Sequence, residues 1–295
     1  MRIDPVPENT ASDQVRKCYS DIKMGLDSAV LPVFFTYLGA FPEYLIYISE
    51  QLVHNFQDPL FNKLVTALHS EVLTGIKHQL KKSEENINWI RLYQLIPSFY
   101  YFQNDLKTIS LTNTKLACIF VALRETVKGW AIAAKKLTYK EKSFESLSED
   151  LVTEDDFIFD KNILDKYKNI PLDKLAEKYF SPVENKKYLA LKKIYLEKRG
   201  ATSLEKNLLP EYIRNCHMDF RQLMKYDYFW SLRVALEEKV LLTLDNLPHL
   251  IYSPYNVIFN LTQKYDNFYE LIYLLSEHFP TLTMQRLMFS GFMII

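Results

Sequence analysis

The chain of 295 residues is short of glycine and of cysteine, and each shortage excludes something. Six glycines leave little room for Gly-rich phosphate loops or for a run of tight hairpins, since glycine is the residue that takes positive φ without steric cost. No G-x-G-x-x-G, P-loop or G-x-S-x-G pattern occurs. The three cysteines, Cys18, Cys118 and Cys216, are odd in number and far apart, which fits free thiols and neither a disulfide framework nor a C-x-x-C redox pair. Excess charge of either sign is also missing: 36 basic residues balance 36 acidic ones, so no nucleic-acid or anionic-membrane surface is expected. The first residues, MRIDPVPENTASDQ, are too polar and acidic for a secretory signal, and the longest apolar run, LACIFVAL at 116–123, is far below a bilayer span. A soluble, cytoplasmic protein is expected.

What is present is aromatic and helical. There are 20 tyrosines and 19 phenylalanines, and apolar residues recur at helical spacing almost throughout. Val15, Cys18, Tyr19 and Ile22 share one face of 13–26. Further helices are predicted over 31–40, 42–55, 58–81, 88–103, 113–136, 184–199, 206–226, 227–244, 254–264, 267–278 and 282–293. Pro42, Asp58 before Pro59, and Asn113 mark helix starts. No stretch alternates as a strand must, so the fold class is all-α. Between Lys135 and Glu184 charge displaces apolar periodicity, which reads as a solvated linker joining residues 1–135 to 184–295.

The two flanking parts look related. VRKCYSDIKMG (15–25) aligns with LKKIYLEKRGA (191–201), and FFTYLGAFPEYL (34–45) with DFRQLMKYDYFW (219–230), one loop being about nine residues longer in the second part. The alignment separates two acids. Asp227 falls on Pro42 and reads as helix-start punctuation. Asp219 falls on Phe34, so a core position of one half is a carboxylate in the other. On a helical wheel Asp219 lies with Cys216, Phe220 and Leu223, where a carboxylate must be paired, protonated or used.

Four segments, PVPENTASDQVRKCYSDIKMGL, LPVFFTYLGAFPEYL, SLTNTKLACIFVAL and HMDFRQLMKYDYFW, resemble the group I 2-haloacid dehalogenases, and so do the length and the two-part layout. The resemblance implies an all-α pseudo-dimer of two related halves of the alkylhydroperoxidase-like superfamily, with the active site between the halves and whole molecules paired as homodimers. It implies direct hydrolytic displacement of halide from the α-carbon of a small 2-haloalkanoic acid, with no metal or other cofactor. Asp219 would activate the water, Asn113 would hold it, and Phe34, Tyr37 and Met218 would line the substrate. An apolar setting suits a carboxylate base, and the asparagine has both donor and acceptor to orient water. Two positions depart from the pattern: Met218 stands where the family has a serine, and Asn-Thr-Lys (113–115) where it has Asn-Pro-Lys. Those departures open the alternative of a diverged member that binds a small acid without the reaction. Each residue also has a plainer role open to it: a paired structural acid for Asp219, a helix cap for Asn113, core packing for Phe34 and Tyr37. The histidines show no metal-ligand spacing, and Cys216 reads as a packing thiol. The apolar end, LMFSGFMII (287–295), suits either a buried last helix or a subunit contact.

Overall fold

A computed structural model describes residues 3–94, 97–131 and 208–295, with a few helical positions between 181 and 193. Most of the predicted linker and the 191–201 segment lie outside the described residues. Helix α1 spans Asp13–Leu26. The Ser12 side chain caps it by accepting from the Val15 N–H, Asp13 lies in its first turn, and the chain leaves it through Asp27 in the left-handed region (φ 53°). Short α2 (Val33–Leu38) leads to α3 (Pro42–Gln57), begun by proline at a position whose missing N–H costs nothing. Asp58 caps α4 (Pro59–Gln79) by accepting from the Leu60 N–H at 2.8 Å. Helices α5 (Glu84–Tyr93) and α6 (Pro97–Val127) follow, then a 3-10 turn, Lys128–Trp130. The second part holds α7 (Leu208–Leu223), α8 (Asp227–Leu244), α9 (Tyr255–Lys264), α10 (Phe268–Tyr273) and α11 (Phe279–Ile294). The described residues form no strand, so the fold is all-α.

Helix boundaries correct the sequence reading in three places. The predicted helix 88–103 is divided between α5, which ends at Tyr93, and α6, which Pro97 begins. Asn113 does not start a helix; it lies in the middle of α6, which runs unbroken for 31 residues. The polar stretch around it does not stop the helix because its hydroxyls turn back onto the helix. Thr112 donates to the Thr108 carbonyl at 3.1 Å and Thr114 to the Ser110 carbonyl at 2.9 Å. Likewise α10 and α11 are one continuous helix, joined by a π-helical turn at Leu274–His278. Pro280 sits just past that turn. A proline ring would clash with the carbonyl four residues back in a regular helix, and the wider turn makes room for it.

Antiparallel α6 and α11 form the centre. Phe120 meets Phe279 at one end (ring centroids 5.6 Å apart), while at the other Tyr212 packs on Phe99 and Phe102 and donates to the Met293 carbonyl. Thus 287–293 is buried within the chain, with Phe289, Phe292 and Met293 inaccessible, and Ile294 and Ile295 are partly buried. Helices α4 and α8 lie together against this pair, tied to it by Arg124, whose guanidinium bonds Glu237; Arg233 reaches the same carboxylate at 3.2 Å. Helices α1 and α3 pack on each other so closely that a Cβ on Gly25 would stand 2.3 Å from the Phe56 ring. A loop after α8 is strapped to α3: Gln51 exchanges two bonds with the Tyr252 backbone, and Asn55 holds the His249 carbonyl at 2.8 Å. One contiguous core runs from Ile3 to Met293 through both parts of the chain. The stretch 99–130 passes the length and hydropathy test for a membrane span, but 83% of its apolar window is buried inside the protein, as a core helix would be.

Candidate functional site

The residues singled out in the sequence fall in three places. Asp219, on α7, is only half-buried and points at the start of α5. Its Oδ2 accepts from the Ser83 backbone N–H at 2.8 Å and from the Asn86 side-chain amide at 3.1 Å. Ser83 is the cap residue of α5 and its hydroxyl accepts from the Asn86 N–H, so carboxylate and hydroxyl together serve the open N–H groups of one helix end. Behind this junction Asn86 Nδ2 also points at Cys216 Sγ at 3.4 Å. Burial pushes the Cys216 thiol up, in keeping with a packing role. Lys82 lies beside the group, donating to the Phe292 and Ile295 carbonyls. Burial lowers its amine, and the nearby Asp219 charge opposes that lowering.

Met218, the neighbour of Asp219, is 48% exposed. Asp227 occupies the first turn of α8, the helix-start role that its alignment with Pro42 assigned.

Phe34 and Tyr37 lie in the core, 1% and 8% exposed. Phe34 packs between Phe120 (4.9 Å) and Phe279 (5.1 Å), and Tyr37 on Phe279 at 5.7 Å. The Arg286 guanidinium lies 4.6 Å from the centre of the Phe34 ring, a cation–π contact that the sequence reading missed. Nothing local announces Arg286; only the packing of α2 on α11 brings it to Phe34.

Asn113 is 1% exposed, and neither its Oδ1 nor its Nδ2 has a protein hydrogen-bond partner. It lies seven residues before Phe120, close to two full turns, on the stripe of α6 that carries Phe120 towards Phe34 and Phe279. By the same count Arg286 follows Phe279 by two turns. A fully buried amide with both ends open is costly, and an ordered water or a ligand atom is its ordinary remedy. One turn earlier, Ser110 Oγ stands 3.0 Å from His69 Nε2, and burial lowers the pKa of that imidazole.

The structure therefore brings Phe34 and Tyr37 together on one aromatic cluster, with Asn113 on the helix stripe that leads into it, and turns Asp219 towards α5. No hydrogen bond links Asp219 to Asn113. Among the described residues no group of three or more His, Cys, Asp or Glu side chains could hold a metal ion. Compared with protein-family models, with curated proteins and with solved structures, the chain gives no match.

Proposed function

We propose that the chain is a diverged protein of the 2-haloacid dehalogenase type that binds a small carboxylic acid, with Asp219 acting as a helix cap in place of a general base. The observation that carries the reading is the engagement of Asp219 Oδ2 by two donors at the start of α5. Asp219 Oδ2 is already the acceptor for two donors at that helix end, so the lone pairs that would orient and activate a water are in use there. Its half-exposed position also lacks the exclusion of bulk water that displacement at an α-carbon needs. Phe34, Tyr37, Phe120 and Phe279 offer an apolar wall, and the open amide of Asn113 offers donors for a carboxylate and an acceptor for a hydroxyl or water. The reading includes two related halves, a cytoplasmic location and a homodimer. It is supported locally by α2–α3 and α7–α8, which break at equivalent positions and restart at Pro42 and Asp227.

Hydrolysis of a 2-haloacid is the second reading, and one observation favours it: both bonds to Asp219 fall on Oδ2, leaving Oδ1 open to a water. One experiment separates the two. Wild type, Asp219→Asn and Asn113→Ala are tested for halide release from each enantiomer of 2-chloropropionate and for calorimetric binding of 2-chloropropionate. Binding without release, lost in Asn113→Ala and kept in Asp219→Asn, is expected. Release that disappears in Asp219→Asn overturns the binding reading in favour of hydrolysis, and neither binding nor release overturns both.

A further inference from the structure

A cleft of about 330 Å³ opens between the C-terminal ends of α1 and α3 and the first turn of α4, away from the aromatic cluster. Its floor is Lys115 of α6, a lysine only 8% exposed in a position where lysines seldom lie. Around it stand Asp21, Asp27, Phe56, Gln57 and Asn62. We infer that this cleft is a binding site for a small hydroxy-aldehyde, with the Lys115 amine as the nucleophile that captures its carbonyl. The inference does not depend on the function proposed above, since it concerns different residues and a different ligand chemistry.

The geometry supplies each part. Lys115 Nζ makes one protein hydrogen bond, to the Gly25 carbonyl at 3.2 Å in the last turn of α1. That bond fixes the amine at the cleft wall and leaves its other valences for a ligand. Burial lowers the Lys115 pKa, and the charge of Asp27 partly offsets this, so more free amine is present near neutrality than on a surface lysine. Asp21, Asp27 and Lys115 are the titratable groups that line the cleft. With two carboxylates on the wall, an anionic ligand is disfavoured, whereas hydroxyl groups can donate to Asp21 and meet the Gln57 amide. The cleft is at the lower end of the size range for small-molecule sites, which suits a ligand of two to four carbons.

The step balances without a co-reactant. The free amine's lone pair adds to the aldehyde carbon, and a proton passes from nitrogen to oxygen to give a carbinolamine. The C–O bond then breaks as the nitrogen lone pair forms C=N, and the remaining nitrogen-bound proton leaves with the hydroxyl as water, relayed by the Asp27 carboxylate at the cleft, so that an imine remains on Lys115. A helix-end cation with a purely structural role would share the Gly25 contact but would not react.

The full chain is incubated with glycolaldehyde at pH 7.5, reduced with borohydride, and mapped by peptide mass spectrometry. The expected result is reductive labelling of Lys115 several-fold faster than exposed Lys63 and Lys77, because burial lowers its amine and the cleft holds the aldehyde beside it. Label at that site should be absent from Lys115→Arg, which keeps the charge and the donor to Gly25 and serves as the folded control. Propionaldehyde at equal concentration should label Lys115 several-fold more slowly. Labelling of Lys115 no faster than Lys63 and Lys77, or label carried mainly by other lysines, overturns the inference. Equal rates with the two aldehydes overturn the hydroxyl recognition.

Discussion

Replacing Asp219 by alanine tests the helix-cap role directly, and its size can be worked from the contacts. The substitution removes the acceptor of two bonds at the start of α5, from the Ser83 N–H and the Asn86 amide. Losing a side-chain cap costs about 1 kcal/mol. The Asn86 group adds more, because Asn86 is 1% exposed and its Oδ1 already lacks a partner, so its Nδ2 would be left with only the weak contact to Cys216. A buried donor deprived of its acceptor costs about 1–2 kcal/mol. Together these predict a loss of about 2–3 kcal/mol, or about 3–5 °C in Tm for a chain of this size. Asp219→Asn keeps an acceptor oxygen and loses only the charge facing the helix dipole, about 0.5–1 kcal/mol. Urea denaturation of both variants, followed by circular dichroism, gives the comparison. The ordering is the sharp part: alanine clearly worse than asparagine, and asparagine close to wild type. An Asp219→Ala variant within about 0.5 kcal/mol of wild type would refute the reasoning, because the carboxylate would then not be holding α5.

Other perturbations read different parts of the molecule. Asn113→Leu removes an amide with no protein partner, and should raise stability by about 1 kcal/mol while abolishing any binding of small acids; a loss above about 2 kcal/mol would instead show that water or a ligand satisfies that amide. Glu237→Ala strips the carboxylate that Arg124 and Arg233 share between α6 and α8, and should cost about 2–3 kcal/mol by thermal unfolding, since both guanidiniums are mostly covered. Burial lowers the pKa of His69 and of His278, so the unfolded chain takes up protons on these residues first as pH falls. Their contribution is therefore complete above the unfolded imidazole value near about 6.5 and declines as pH drops below it towards the folded values, a slope that His69→Gln should reduce in denaturation curves between pH 7.5 and 5.

Helix punctuation was legible in the sequence because it is a local matter. Pro42, Asp58 before Pro59, and Asp227 each act within one turn of themselves, and each begins a helix where its chemistry says it should. Asn113 misled the same reasoning, because an asparagine before an apolar run is a good cap only when its polar neighbours are not already bonded inside a helix. Here Thr112 and Thr114 bond four residues back and carry the helix through. The predicted break between 278 and 282 is absent, since a five-residue π turn absorbs the clash that Pro280 would otherwise cause.

Asp219 shows the deeper limit. Periodicity put it on the buried face of α7 with Cys216 and Phe220; those two are fully buried, whereas Asp219 is only half-buried. What no pattern within α7 contains is that α5 begins 136 residues earlier in sequence and presents Ser83 and Asn86 to that carboxylate. The same holds for Arg286 on Phe34 and for Lys115 under the α1 C-terminus: each is a charged residue on a mainly apolar helix whose partner is set by how helices cross. A buried charge in a helical sequence thus signals that a partner exists, because the cost of leaving it alone is too high. Whether the partner is a helix end, an aromatic face or a ligand is decided by tertiary packing. In this protein Asp219 meets a helix end and Arg286 an aromatic ring, while Lys115 meets a helix end and an open cleft together. That leaves Lys115 as the charged group best placed for a ligand, and makes its reactivity the measurement that most directly separates structure from function here.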